Sequence, residues 1–299
     1  MSKKLLLSII VVLLITNVAT MLLWKNDDTN EDIVDDAEID TNKPVATLGD
    51  SEISYQEWMK SLQNNYGKKE LKNIIDHEVV RKLAEENNIS ISEKVIERDI
   101  ALLTTMQGLT SEADLKELEE KWRKDITYRY QLEALLAKDI NVPEAEVQAY
   151  YTKYNKQYQF SESLQFSHIL VSTMDTAEKA YKELQDGASF SLLAKEYSID
   201  EDTRESGGYL GFNSVHTEFL PSNYFDIAED LEEYSYSEPF VTSNGVAILY
   251  LHKSLPDITF SYEELKPFIR NELALQSANQ NLVADPLWKE LDIEWVYGE

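Results

Sequence analysis

Apolar residues recur every three or four positions along much of the first half of the chain. Between Lys68 and Asn88, Leu71, Ile75 and Val79 fall at helical spacing on one face. Ser111 followed by Asp114 resembles a capping box, which predicts that a further helix starts there. The stretch VATLGDSEISYQEW before these segments has the pattern of a strand, a Gly-Asp turn and a helix start. We therefore predict a mainly helical part over residues 44–158.

The pattern changes between Phe160 and Lys253. Two apolar, strand-like runs, LQFSHILV and GVAILYLH, enclose helical segments and a glycine-rich turn, SGGYLGF. Strand, helices and strand within so short a length predict a compact α/β domain over residues 160–254. Helical periodicity returns at Ser261, and the chain ends on a strand-like IEWVY. The simplest arrangement is an α+β fold in which a helix and strand over residues 260–299 pack with the first helical part.

A run of twenty residues near the N-terminus, Leu5 to Trp24, carries no charge. A helix of this length spans the hydrocarbon core of a bilayer, which is about 30 Å thick. The apolar core of a cleaved signal is shorter, roughly 7 to 15 residues. Lys3 and Lys4 precede the run, so the positive-inside rule predicts a cytoplasmic N-terminus. We expect residues 1–25 to form an uncleaved signal anchor, a single transmembrane helix in the cell membrane, with the remaining chain on the extracytoplasmic side.

Acidic residues dominate the charge of the chain, which is −27 at neutral pH. They are densest just after the apolar run, where eight of the seventeen residues 26–42 are acidic and none is basic. Such a stretch repels itself and cannot bury a core, so residues 26–43 are predicted to be a disordered linker. A chain this acidic is an unlikely partner for nucleic acid.

Cysteine is absent, which excludes disulfides, thiolate metal sites and a cysteine nucleophile. The sequence contains no HExxH, GxSxG or P-loop motif. Of the four histidines, His168 is unusual because it lies in the middle of the apolar run QFSHILV. The residues alone leave two interpretations of His168 open: a structural side chain in a core, or part of an active site.

Three blocks of sequence occur in an order that is typical of one enzyme family. FSHILV, GASFSLLAKEYSIDEDTRESGGYLGF and VTSNGVAILYLHK together resemble a parvulin-type peptidyl-prolyl isomerase domain. The predicted anchor and flanking helices resemble the extracytoplasmic foldases of the PrsA and SurA kind. This resemblance implies rotation about X-Pro peptide bonds without a cofactor or metal. It also implies unfolded or partly folded exported polypeptides, through their X-Pro segments, as partners.

The resemblance assigns three residues to the catalytic polar network of the family. His168 matches the histidine of the first strand, and Asp200 matches a position that holds cysteine or aspartate. Thr242 matches a hydroxyl residue before the last strand. Ala247 is the main departure, because active parvulins usually have a second histidine there that bonds with the first.

The resemblance also assigns a proline pocket to three residues. Leu220 falls where the family commonly has methionine, and Tyr224 where it has phenylalanine, with Phe212 nearby. The tyrosine adds a hydroxyl, which needs a partner when it is buried.

Three functional hypotheses follow. The first is a membrane-anchored prolyl isomerase that assists the folding of exported proteins. The second, motivated by Ala247, is a catalytically weak or inactive chaperone that keeps the parvulin fold in order to bind unfolded chains. The third is an envelope protein that associates with itself through its helices, for example as a homodimer.

Overall fold

The computed structural model describes residues 39–215, 219–221 and 223–298. The predicted signal anchor and most of the predicted acidic linker lie outside these residues. Within the part of the chain that is described, no helix is both long enough and apolar enough to cross a membrane.

The described residues divide into two compact units, with the boundary between Leu71 and Lys72. In the first unit, β1 (Pro44–Leu48) and β2 (Ser51–Ser54) form an antiparallel hairpin. Its two-residue turn is built on Gly49, whose φ of 60° suits glycine. Helix α1 (Tyr55–Leu62) follows directly, and the side chain of Ser54 caps it by accepting a hydrogen bond from a first-turn backbone amide. The predicted strand, turn and helix are therefore present, with a second strand added.

The second unit contains a helical part in which distant segments of the chain share a core. Its helices are α2 (Lys68–Glu86), most of which lies in this unit, α3 (Glu93–Thr105), α4 (Glu112–Ala137), α5 (Glu144–Tyr154) and α9 (Tyr262–Ser277). Apolar side chains of α3, α4, α5 and α9 pack into one core cluster, which includes Val95, Ile126, Val147, Leu265 and Ile269. The C-terminal helix thus packs with the helices that precede the α/β domain.

The predicted final strand is not formed. The chain after α9 makes one short 3-10 turn, Asp285–Glu290, and the IEWVY segment lies outside any sheet. Its large side chains pack on other side chains instead: Trp295 makes edge contacts with Trp288 at 5.3 Å and Tyr297 at 5.7 Å between ring centroids. The alternation of apolar residues therefore reflects aromatic packing rather than strand pairing.

Between α5 and α9 lies a four-stranded antiparallel sheet with the strand order β4-β3-β6-β5. Its elements are β3 (Ser163–Val171), α6 (Met174–Gln185), α7 (Phe190–Tyr197), β4 (Tyr209–Ser214), α8 (Asn223–Glu229), β5 (Phe240–Thr242) and β6 (Gly245–Leu255). The two apolar runs, LQFSHILV and GVAILYLH, form the central strands β3 and β6, and other residues cover both faces of these strands. The edge strands β4 and β5 are shorter and less buried.

The two faces of the sheet are covered by different helices. Ile169 and Ile248 face α6 and α7. Phe166, Leu170 and Ala247 belong to the apolar cluster on the other face, which α8 covers. Side chains alternate along a strand, so His168 lies on the α8 face between Phe166 and Leu170.

Candidate active site

His168 occupies the centre of the most buried strand. It is 5% exposed and pairs with Leu249 of β6. On the other side, its backbone amide donates to the carbonyl of Gly208 over 2.8 Å. Gly208 has a φ of 78°, and a Cβ on it would lie 1.9 Å from the His168 carbonyl oxygen. Only glycine permits this close approach, which fixes the turn before β4 against the histidine.

Both ring nitrogens of His168 have hydrogen-bond partners. Nε2 lies 2.8 Å from Oδ2 of Asp200 and 3.1 Å from Oγ1 of Thr203. Nδ1 lies 2.9 Å from the hydroxyl of Tyr224 on α8. The Thr203 hydroxyl also donates to Asp200. Four side chains from β3, the loop after α7, and α8 therefore form one connected polar network under an apolar cluster.

The chemistry of the partners determines where the protons lie. An ionised Asp200 only accepts hydrogen bonds, so Nε2 of His168 carries the ring proton and Nδ1 accepts from the Tyr224 hydroxyl. Burial is the largest influence on His168 and lowers its pKa, although Asp200 acts in the opposite direction. The neutral imidazole is therefore the form present at neutral pH.

The carboxyl and the phenol in the network are held in complementary states. Burial acts to raise the pKa of Asp200, but hydrogen bonds from Thr203 and His168 outweigh it and leave the pKa below its usual value. Burial, and then the charge of Asp200, raises the pKa of Tyr224. Asp200 is thus ionised and Tyr224 is protonated at neutral pH, which agrees with the direction of every hydrogen bond in the network.

A small cavity lies beside this network, lined by apolar side chains together with Asn213. Its volume is ≈ 140 Å³, and its lining comprises Phe166, Asn213, Val215, Leu220, Pro221, Tyr224 and Phe225. An apolar cavity of roughly 150 Å³ can hold a benzene molecule, so this one is large enough for a proline ring. Tyr224 belongs to both features, because it is a lining residue of the cavity and its hydroxyl bonds His168.

Comparison with known proteins identifies the α/β domain. Residues 168–253 match the family model described as the rotamase, PPIC-type PPIase domain. The protein YacD of Bacillus subtilis, which is named for peptidyl-prolyl cis-trans isomerase activity, is 35% identical over 260 residues, covering 87% of each chain. The chain belongs to the parvulin, or PPIC-type, family of peptidyl-prolyl cis-trans isomerases.

Further relatives are foldases. The foldase protein PrsA of Caldanaerobacter subterraneus subsp. tengcongensis is 30% identical over 226 residues, which cover 73% of this chain and 69% of the relative. A crystal structure of PrsA from Bacillus subtilis matches with 23% identity and a TM-score of 0.33, covering 86% of this chain and 95% of that one. The sequence relatives place the chain among isomerases and foldases of the PrsA type.

The parvulin domain brings His168, Asp200 and Tyr224 together, and it places Leu220 and Tyr224 at the cavity. Thr242 lies elsewhere: its hydroxyl donates to the carbonyl of Gly245 and accepts from the amide of Asn244, so it shapes the β5–β6 turn. No hydrogen bond joins Thr242 to the described part of the His168 network.

Phe212 does not line the cavity. It packs against a separate cluster, formed by Ala101 of α3 with Phe160 and Leu255, where the sheet meets the helical part. Its neighbour Asn213 lines the cavity instead. Successive residues of a strand face opposite ways, and β4 turns the asparagine, not the phenylalanine, towards the site.

Thr203 is a member of the network that the sequence analysis missed. It lies three residues after Asp200, and Asp-x-x-Thr in a turn brings two polar side chains close together. That spacing was the available signal, although only the loop conformation shows that both side chains reach Nε2 of His168.

The other strand histidine, His252, lies on the opposite side of the sheet, where its Nε2 is 2.8 Å from Oγ of Ser167. Among the described residues, no cluster of acidic and histidine side chains could hold a metal ion.

Proposed function

We propose that this protein is a membrane-anchored, extracytoplasmic foldase that isomerises X-Pro peptide bonds and thereby assists the folding of exported proteins. The observation that carries the proposal is the polar network of His168, Asp200 and Tyr224 beside a ring-sized cavity in a parvulin domain. The uncharged run from Leu5 to Trp24 supports the anchor, and the PrsA relative that is named as a foldase supports the role in folding.

The reaction requires no bond to break. Rotation about the peptide bond has a barrier of about 18–20 kcal/mol, because amide resonance is lost in the twisted state. A catalyst must therefore bind the twisted state better than the planar one. The cavity would hold the proline ring away from water, which removes polar solvation that favours the planar, charge-separated amide.

The network serves this reaction by holding its groups in place. His168 is 5% exposed and is neutral, so it is placed to order the pocket rather than to attack a substrate. It fixes the hydroxyl of Tyr224, and with it the aromatic wall of the cavity, against the charge of Asp200. Groups arranged before the substrate arrives need no reorganisation during the rotation.

The helical part would hold the client chain. A cavity of ≈ 630 Å³ lies among α3, α4 and α9 and combines apolar walls with charged groups, including Phe268, Leu275, Arg129, Glu133 and Glu272. Such a mixed lining suits varied segments of unfolded polypeptide. We therefore assign exported polypeptides as the partners, held by the helices and isomerised at the parvulin domain.

Refolding of a client protein whose slow phase is limited by proline isomerisation tests the proposal. The region from Thr41 onward should accelerate that phase in proportion to its concentration, and Asp200→Asn should reduce the acceleration. An unchanged slow phase at every concentration would argue against the enzyme.

Protease treatment of intact cells tests the anchor. The protease is expected to remove the parvulin domain and to leave a membrane-bound N-terminal fragment.

The alternative is a catalytically weak chaperone, which Ala247 motivates. Aggregation of an unfolded client separates the two functions. If the chaperone proposal holds, Asp200→Asn suppresses aggregation as well as the wild type does, while neither protein accelerates X-Pro exchange. If neither protein suppresses aggregation, the chaperone alternative is excluded.

Light scattering at several protein concentrations tests whether the protein forms a homodimer.

A further inference from the structure

The resemblance to parvulins matches Ala247 in β6 to the position that usually holds a second histidine. The residue is fully buried, pairing with Leu170 of β3 on one side and Phe240 of β5 on the other. It shares one apolar cluster with Tyr224. A methyl group is therefore what the packing at this position accommodates, and a ring there would have to displace its neighbours.

Tyr224 fills the adjacent space from the other side of that cluster. Its ring makes edge contacts with Phe166, His168 and Phe240, with centroids 6.3, 5.8 and 5.7 Å away. It is 1% exposed, so its hydroxyl cannot rely on bulk water for a partner. The hydroxyl bonds Nδ1 of His168 at 2.9 Å.

The two departures from the family pattern explain each other. Phenylalanine at position 224 would leave Nδ1 of His168 without a donor once alanine stands at position 247. Histidine at position 247 would crowd the ring of Tyr224 in the buried cluster that the two positions share. Only one of the two donors is needed, and this chain supplies it from α8 instead of β6.

We propose that Tyr224 replaces the second histidine of the family as the positioning residue of the site: its hydroxyl donates to Nδ1 of His168 and holds the imidazole with its Nε2–H directed at Asp200. The consequence for catalysis rests on the proposed isomerase function. The hydrogen bond itself does not, so it is measured separately.

Nitrogen NMR of the histidine side chains tests the hydrogen bond directly. The nitrogen shifts of His168 in the wild type should identify the Nε2–H tautomer with a hydrogen-bonded Nδ1. Tyr224→Phe should move the Nδ1 resonance, because the ring stays while the donor is lost. Tyr197→Phe is the matched control, since it also removes one hydrogen-bonded tyrosine hydroxyl, the partner of Glu183, from the same domain. Its His168 resonances should equal those of the wild type.

Exchange rates of an X-Pro peptide test the catalytic consequence. Tyr224→Phe should lower kcat about five- to tenfold, as expected for one lost hydrogen bond, and leave KM within about twofold because the cavity wall remains. Ala247→His alone should also lower activity, because the imidazole meets the ring and hydroxyl of Tyr224.

The outcomes separate this inference from the proposed function. His168 resonances that stay unchanged in a folded Tyr224→Phe protein overturn the inference. If the wild type does not accelerate exchange at all, the proposed function fails, and the nitrogen shifts still decide whether Tyr224 positions His168.

Discussion

The hydroxyl of Tyr224 lies 2.9 Å from Nδ1 of His168, and this contact joins the buried polar network to the wall of the small cavity beside it. On the far side of the imidazole, Asp200 is 2.8 Å from Nε2. The ring of His168 is therefore held at both nitrogens, and any change in its orientation would also move the aromatic wall. Through this coupling we expect an almost fully buried histidine to act on a proline ring held in the cavity.

The charge of Asp200 is expected to affect the rate of X-Pro isomerisation more than the charge of any nearby acidic side chain. Asp200→Asn keeps the shape of the side chain but removes the charge that Nε2–H of His168 faces. A hydrogen bond to a charged group is worth about 1.5–3 kcal/mol, so we expect kcat/KM for an X-Pro peptide to fall about ten- to a hundredfold. The pKa of His168 should fall further, because Asp200 acts to raise it.

Asp202→Asn provides the matched control for this charge effect. Asp202 is exposed, and only its backbone amide contacts Asp200, so the variant keeps that contact while removing one negative charge. Its activity should equal that of the wild type. Equal losses in the two variants would show that total acidity, rather than the network, determines the rate.

Gly208 should be far less replaceable than Gly211. The two glycines have nearly the same φ, 78° and 74°, but a Cβ on Gly208 meets the His168 carbonyl whereas a Cβ on Gly211 meets nothing within 4 Å. Gly211→Ala should cost about 1–2 kcal/mol of unfolding free energy from backbone strain alone. Gly208→Ala should cost about 3 kcal/mol or more, because β3 or the turn must also shift. Urea unfolding measures both, and equal costs would contradict the close approach.

Leu220 and Phe212 should affect different properties. Leu220→Ala removes an apolar wall of the cavity, so KM for an X-Pro peptide should rise about three- to tenfold with little change in stability. Phe212→Ala should leave KM unchanged but lower the unfolding free energy by about 2 kcal/mol, because it opens the cluster around Phe160 and Leu255. Peptide kinetics and urea unfolding of both variants measure this, and the reverse pattern would place Phe212 at the pocket.

Stability should fall as the pH falls from about 6.5 towards 4. Burial lowers the pKa of His252 to about 4, and no acidic side chain in the described part of the chain offsets it. In this pH range the unfolded chain therefore binds a proton at His252 that the folded chain does not. The stabilisation that comes from neutral His252 is complete above the pKa of the unfolded chain, about 6.5, and is lost as the pH falls towards about 4. His168 acts in the same direction. The His252 contribution should be about 1–2 kcal/mol, since partial exposure screens it.

Unfolding of the wild type and His252→Gln across this pH range measures the effect. The variant should retain a partner for Ser167 and show a shallower dependence on pH. Parallel curves for the two proteins would mean that His252 does not contribute.

The sequence was sufficient to predict the central strands, because LQFSHILV and GVAILYLH are continuous apolar runs of strand length. The edge strands β4 and β5 were not predicted, since one contains a glycine-rich turn and the other has three residues. The strand predicted at IEWVY was wrong because alternation shows only which side chains share a face, not whether a partner strand is present.

The site was only partly predictable, for physical reasons. Asp200 and Tyr224 could be assigned by position, but the hydrogen bond between Tyr224 and His168 depends on how α8 lies on the sheet. Phe212 and Asn213 show the limit most clearly, because a shift of one residue in a strand exchanges the two faces. Thr203 required the conformation of the loop after α7, which no periodicity describes.

The most direct test of the account is NMR exchange spectroscopy on a panel of X-Pro peptides with the protein from Thr41 onward and its Asp200→Asn variant. The account predicts that the wild type accelerates cis-trans exchange and that Asp200→Asn loses most of that acceleration while it remains folded. A wild-type protein that leaves exchange at the uncatalysed rate for every peptide would contradict it.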